Sequence, residues 1–345
     1  MTSAAARGLL LALLCAAACA TAQRPPVPAI AYPPAPQQAR AFYRGEIRSD
    51  QDVETSGFWH RLATAFAGER KPVAFEAPTD VTFDPSGRLL VTDAGRHALV
   101  IVDRSGGHFD VVAPTGEDAL GLPLGVAADG AGRIYVADGL RRTVRVFSPE
   151  GKSLARIDAG GQLQRPTGVA VDRARGLLYV ADTPVHLVRV LRLDGTPVRT
   201  LGGHGEGPGQ MNFPTFLSVG PRGELVVNDA MNFRVQVFGP EGELRSTFGQ
   251  LGSGSGDMSR SKGVAMDERG HVFVADALFD NFQIFDRSGR LLLFVGEHGR
   301  AAGQFWMPTG LALDGPLVAV ADRSNGRVQL FEMVTEAELE EGEAP

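Results

Sequence analysis

Seven histidines are the residues of this chain best suited to hold a metal or move a proton, and their spacing decides between those uses. His97, His186, His204 and His298 stand far apart, and none belongs to an H-x-H or H-E-x-x-H pattern. A catalytic metal needs several ligands converging on one open site, so distant loops would have to be gathered by the fold. Nucleophilic catalysis is served less well. Both cysteines, Cys15 and Cys19, fall in the first twenty residues, and no G-x-S-x-G elbow exists. The stretch LGGHGEGPGQMNFP, Leu201 to Pro214, suggests a phosphate cradle, yet neither G-x-G-x-x-G nor G-x-x-x-x-G-K-S/T fits it. The stretch also recurs, as FGQLGSGSGDMSRS from Phe248 and VGEHGRAAGQFWMP from Val295, each copy 47 residues after the last. A loop that returns at a fixed period belongs to a repeat.

The elements that position these residues are short strands. From about residue 77 six openings follow one another: APTDVTFDPSG, LPLGVAADGAG, RPTGVAVDRARG, FPTFLSVGPRG, RSKGVAMDERG and MPTGLALDGP. Each leads into a second strand that ends in an aspartate: Asp93, Asp138, Asp182, Asp229, Asp276 or Asp322. A third apolar run, an x-x-x-Gly turn and a fourth run complete the unit. Short Val/Ile/Leu/Phe runs bounded by Gly, Pro and Asp are strand signals, and four per repeat at a period of some 43 to 48 residues indicate propeller blades. The expected fold is all-β: a six-bladed β-propeller of four-stranded antiparallel blades. The repeating aspartates are expected to accept backbone N–H groups and hold the second turn of each blade.

These residues carry a resemblance. P-T-G-V-A-V-D, L-Y-V-A-D, R-V-Q-V-F and G-x-G-P-G-Q are similar to the NHL repeat, and the chain resembles bacterial secreted NHL-repeat propellers from about Ala77 to Val334. Blade 4 departs with FLSVGP, and Ser261 replaces proline in blade 5. The resemblance implies two kinds of activity. Related propellers include a zinc-dependent lyase acting on hydroxyglycine peptides and lactonases with an axial calcium. The lyase pattern also wants a tyrosine and an arginine beside the metal. Here Tyr32 and Tyr43 precede the repeats, while Tyr135 and Tyr179 share one strand register, as packing residues do.

The sixth repeat ends at its third strand, RVQLFEMV, which would leave an unpaired edge. The alternating segment Ala39 to Arg48 is expected to pair with Val328 to Met333 and close the ring. Next, Phe58, Trp59, Leu62 and Phe66 would share one face of a short helix ending at Gly68, with His60 solvated. Farther upstream, residues 1–22 read as a signal peptide, or 1–18 if Cys19 becomes a lipidated first residue. Residues 23–38 form a proline-rich tether, 39–76 the closing strand and helix, 77–334 the propeller and 335–345 an acidic disordered tail.

Connections in a blade alternate between two faces. The turns after each aspartate and the glycine-rich links share one face, here called the top. Its candidate binding residues are Arg96, His97, Arg141, Arg142, His186, His204, Asn232, Phe233, Phe279, Asp280, His298 and Asn325, because loops on a rigid scaffold usually carry function. The first functional reading is an exported, non-catalytic monomer that binds a protein, peptide or glycan of the cell envelope, periplasmic or anchored through Cys19. It needs no cofactor. The second is a metal-dependent hydrolase or lyase, using zinc or calcium near the axis. The third is a structural component of an envelope complex. A net charge of −6 gives no footprint for nucleic acid.

Overall fold

The computed structural model describes residues 27–53 and 71–335. The signal segment with Cys19, the expected helix from Phe58 to Gly68 with His60, and residues 336–345 lie outside the described residues. The remainder is a six-bladed propeller of antiparallel sheets. Inner strands Pro78–Phe83, Pro123–Ala128, Pro166–Asp172, Pro214–Val219, Ser261–Met266 and Pro308–Asp314 touch one another in order around an axis. Small residues make this approach possible. A Cβ on Gly125 would meet the carbonyl oxygen of Thr167 at 2.6 Å, and one on Gly168 that of Thr215 at 2.3 Å. Second and third strands carry the aliphatic layers that pack blade on blade, such as Val136 and Ile134 against Leu90 and Leu99.

All six turn aspartates are fully buried at 0% exposure. Asp93 accepts N–H groups of Glu76 at 2.7 Å and Ala77 at 2.9 Å, and of Gly95 at 3.0 Å. Asp276 likewise takes N–H groups from Ser259, Arg260, Leu278 and Phe279. Each carboxylate therefore reaches back to the entrance of the inner strand some sixteen residues earlier. Asp182, Asp229 and Asp322 add an arginine each, Arg189, Arg234 and Arg327.

The ring closes through the N-terminal segment. Ala41–Ile47 pairs antiparallel with Arg327–Met333, from Ala41 opposite Met333 to Ile47 opposite Val328, with a bulge at Gly45. Its inward side chains Ala41, Tyr43 and Ile47 are 0 to 4% exposed, and Tyr43 stands edge-on to Phe331 at 5.6 Å. The proline-rich stretch goes further than a tether. Ala31–Tyr32 adds a short fifth strand, and Tyr32 Oη donates to the Gly303 carbonyl at 2.9 Å.

Two seams differ from the rest. Blade 1 has Asp80 and blade 4 has Phe216 where the other inner strands have Gly125, Gly168, Gly263 and Gly310. In the same two blades the second strand carries Thr92 and Asn228 in place of alanine. Thr92 Oγ1 donates to the Leu124 carbonyl of blade 2. Asn228 Nδ2 donates to the Ser261 carbonyl of blade 5 at 2.9 Å, and Ser261 Oγ returns a bond to Asn228 Oδ1 at 2.7 Å. Where a side chain prevents the backbones from meeting, polar bridges span the gap. The axial channel opens on the bottom face as a cavity of about 720 Å³, with Asp80, Phe216 and Gly263 at its inner end.

Candidate functional site

The top face is built on six equivalent residues that precede the third strands. His97, Arg142, His186, Phe233, Asp280 and Gly326 all have φ between 51° and 61°, a left-handed region that favours glycine. Five of the six carry side chains there, at a cost of order 1 kcal/mol each. In alternate blades those side chains reach the link entering the next blade. His97 Nδ1 donates to the Gly121 carbonyl at 2.6 Å, since a carbonyl only accepts. His186 Nδ1 accepts the Phe213 N–H at 3.1 Å, which leaves the proton of the neutral ring on Nε2. Asp280 Oδ1 accepts the Met307 N–H at 2.7 Å.

The glycine-rich links use their own donors. Gly203 N–H bonds the His186 carbonyl, Met211 N–H the Gly203 carbonyl, and Gly205 N–H the Met211 carbonyl. Gly209 N–H goes to Gln236 Oε1 at 3.0 Å, and the two later copies repeat this through Gln283 and Gln329. Each link is pinned from below by a fully buried residue, Met211, Met258 or Phe305. A phosphate would find these N–H groups already bound. Gly202, at φ 98°, makes the tight exit from the outer strand that a side chain could not follow, because a Cβ would lie 2.9 Å from the Met211 sulfur.

The histidines fall into separate places. His186 and His204 meet edge-to-face with ring centroids 4.4 Å apart, and Phe213 lies at the same distance from His186. Partial burial and then the neighbouring His204 charge push the His186 pKa down. His298 instead pairs with Asp280, Nδ1 to Oδ2 at 2.7 Å, and stands edge-on to Trp306. His97 is alone. Among the described residues no group of three or more His, Cys, Asp or Glu could hold a metal ion. Asn232 and Asn325 are committed within the fold. Their amides donate to Gly205 and Gly299 carbonyls and to Asp229 and Asp322. Arg96 folds back on the Ala74 carbonyl and Glu76, and Phe279 is half-buried. Arg141 and Arg142 are exposed.

Side chains outside that group shape the face more strongly. Two residues after the aspartate, Leu140, Met231 and Leu278 are 69, 53 and 60% exposed, with Phe213 at 42% and Leu251 at 62% close by in the links. The bottom turns show no large hydrophobic residue exposed to that degree among the described residues. Charged side chains are paired on both faces in part, and Arg104, Arg173 and Arg287 of the bottom turns have no carboxylate partner among the described residues. In the bottom turns of blades 1 to 4 an arginine pairs with a carboxylate: Arg88 with Asp84, Arg133 with Asp129, Arg175 with Asp172 and Arg222 with Glu224. On the top, Arg141, Arg142, Arg165, Arg260, Lys262 and Arg323 have no carboxylate partner among the described residues. Position in the repeat could have flagged Leu140, Met231 and Leu278. Their exposure needed the three-dimensional arrangement.

A family model for the NHL repeat matches residues 163–191, which hold the inner and second strands of blade 3 and most of its third. Solved structures share the fold at low identity. Virginiamycin B lyase from Staphylococcus aureus is similar over 75% of this chain and 95% of its own, with 12% identity and a TM-score of 0.54. A gluconolactonase from Xanthomonas campestris aligns over 85% of this chain and 98% of its own, with 16% identity and a TM-score of 0.58. A chain of a nidogen/laminin complex aligns over 73% and 87%, with 17% identity and a TM-score of 0.56. Enzymes and binding proteins thus share this architecture, and at these identities the likeness speaks to fold alone.

Proposed function

We propose that this six-bladed propeller, which carries an NHL repeat, is an exported binding module that grips a polypeptide partner with its top face. The observation that carries the reading is the asymmetry of the two faces. Exposed aliphatic side chains recur at one repeat position on the top, while the bottom turns expose no large hydrophobic residue to that degree among the described residues. Exposed apolar residues gathered on one face of a stable scaffold mark interaction sites. Their aliphatic character favours a polypeptide over a glycan, which is more often met by stacked aromatic rings. The triple variant Leu140→Ser, Met231→Ser, Leu278→Ser should retain the melting behaviour of the parent and lose partner capture from envelope extracts. Removing three such contacts costs an interface about 3 kcal/mol, more than a hundredfold in Kd. Leu292→Ser with Phe294→Ser, on an outer strand, should leave capture unchanged. Equal capture by all three proteins would refute the top-face assignment.

Export is part of the same reading. The basic residue Arg7, the apolar run from Gly8 and Cys19 at its end resemble a lipoprotein signal. Mass spectrometry of the mature protein should find a lipidated Cys19 at the N-terminus, and Cys19→Ala should move the protein from the membrane to the soluble fraction. An N-terminus at Gln23 would replace the anchor with simple cleavage. An unprocessed chain retained in the cytoplasm would remove export altogether.

A further inference from the structure

We infer that the top mouth of the propeller axis is a seat for a carboxylate of the polypeptide partner, and that Lys262 is its anchor. The inference rests on the top-face reading and names the chemistry of what is gripped. One ring of equivalent residues, second in each inner strand, surrounds the mouth: Thr79, Leu124, Thr167, Thr215, Lys262 and Thr309. The cavity below begins one residue deeper, at Asp80, Phe216 and Gly263. Lys262 supplies the ring's single charge. Its neighbours reinforce that charge. Arg323, from the next blade, donates through Nη1 to Oγ1 of the ring's Thr79 at 2.9 Å, and Arg260 lies two residues before Lys262.

Three cations therefore belong to this rim, Lys262, Arg260 and Arg323, and no carboxylate among the described residues pairs with any of them. Asp276 is the nearby acid, but its oxygens already serve four backbone N–H groups. Burial, then the Arg260 charge, lowers the Lys262 pKa, with Arg323 acting in the same direction and Asp276 against it. A fold with 40 acidic and 34 basic residues has ample means to neutralise this spot. An incoming carboxylate would relieve the repulsion and pair with a half-desolvated ammonium. Leu278, exposed in the adjoining turn, suits an apolar residue beside that acid. A lysine with two arginines on one rim is a local charge rather than a long basic stripe, which favours an acidic peptide over a nucleic acid.

Fluorescence anisotropy on the full chain tests this with four labelled probes: an amidated Leu-Glu repeat peptide, its Leu-Gln counterpart, the Leu-Gln peptide with a free C-terminal carboxylate, and an oligothymidylate of similar length. The acidic peptide should bind at least tenfold tighter than the amidated Leu-Gln peptide and weaken with added salt. Preference for the free carboxylate would identify a chain terminus as the source of the same group. Lys262→Thr, which restores the residue of four other blades, should abolish the preference with an unchanged melt. The inference falls if the glutamate and glutamine peptides bind equally, if no peptide binds, if Lys262→Thr changes nothing, or if the oligothymidylate binds more tightly than the acidic peptide. A glutamine peptide that still binds, and is lost in the Leu140/Met231/Leu278 variant, would leave the top-face reading standing without the carboxylate seat. Peptide binding untouched by both variants would remove the two together.

Discussion

A chain beginning at residue 49 should fail to give the cooperative melt of a chain beginning at residue 27. The shorter chain lacks Ala41–Ile47, the strand that completes blade 6. Tyr43 and Ile47, each 4% exposed, would be lost from two separate core clusters. By the cost of large core truncations these two alone account for about 5–10 kcal/mol, most of the net stability of an ordinary domain. The damage extends to the charges. Arg327 is fully buried and bonded to Asp322 at 2.7 Å and to Glu46 of the closing strand at 2.5 Å. Without Glu46 it keeps its carbonyl partners at Arg300, Ala301 and Gln304 but faces water along an open edge. Circular dichroism melts of the two chains decide the matter. Coincident curves would show that the strand is dispensable.

The second large effect is a dependence on pH. Asp80 lies at the inner end of the axial cavity, 8% exposed, where burial pushes its pKa up to about 7 against the pull of N–H donors from Val81 and Val126. In the unfolded chain it ionises near the usual 3.8. Between those values the folded state holds more protons than the unfolded one, so stability falls as pH rises from about 4 to about 7 and is level beyond. The span corresponds to at most about 4 kcal/mol. Asp80→Gly installs the residue found at Gly125, Gly168, Gly263 and Gly310, so the ring tolerates it. Urea titrations of parent and variant at pH 4, 5.5, 7 and 8 should show the parent losing stability relative to the variant across this window. Parallel profiles would mean that Asp80 is ionised throughout.

The blade pattern was legible because every repeat restates it: a proline or its substitute, an inner strand, an aspartate, a third strand. Closure was legible from a deficit, the absent fourth run after Arg327–Met333, together with the alternation in Ala41–Ile47. Ala31–Tyr32 was not, since two residues among prolines carry no period. The face was harder to read. The histidines stand far apart in the sequence, yet His186 and His204 face one another while His298 turns to Asp280. Their partners are each eighteen residues away, a spacing that only the shared shape of the links makes meaningful. Lys262 replaces the threonine of four other blades, and such a departure has no chemistry until its neighbours are known. Asn232 and Asn325 show the reverse case, polar turn residues whose amides serve the fold.

The closing strand has a consequence for how the molecule comes into being. Ala41–Ile47 leaves the ribosome well before Arg327–Met333, the strand against which it finds its place. Until then the sixth sheet lacks its rim, and the circle of blades stays open. Such long-range pairing is slow to form. A ring that locks only when both strands are present cannot complete itself on a half-made chain, so an incomplete polypeptide stays pliable.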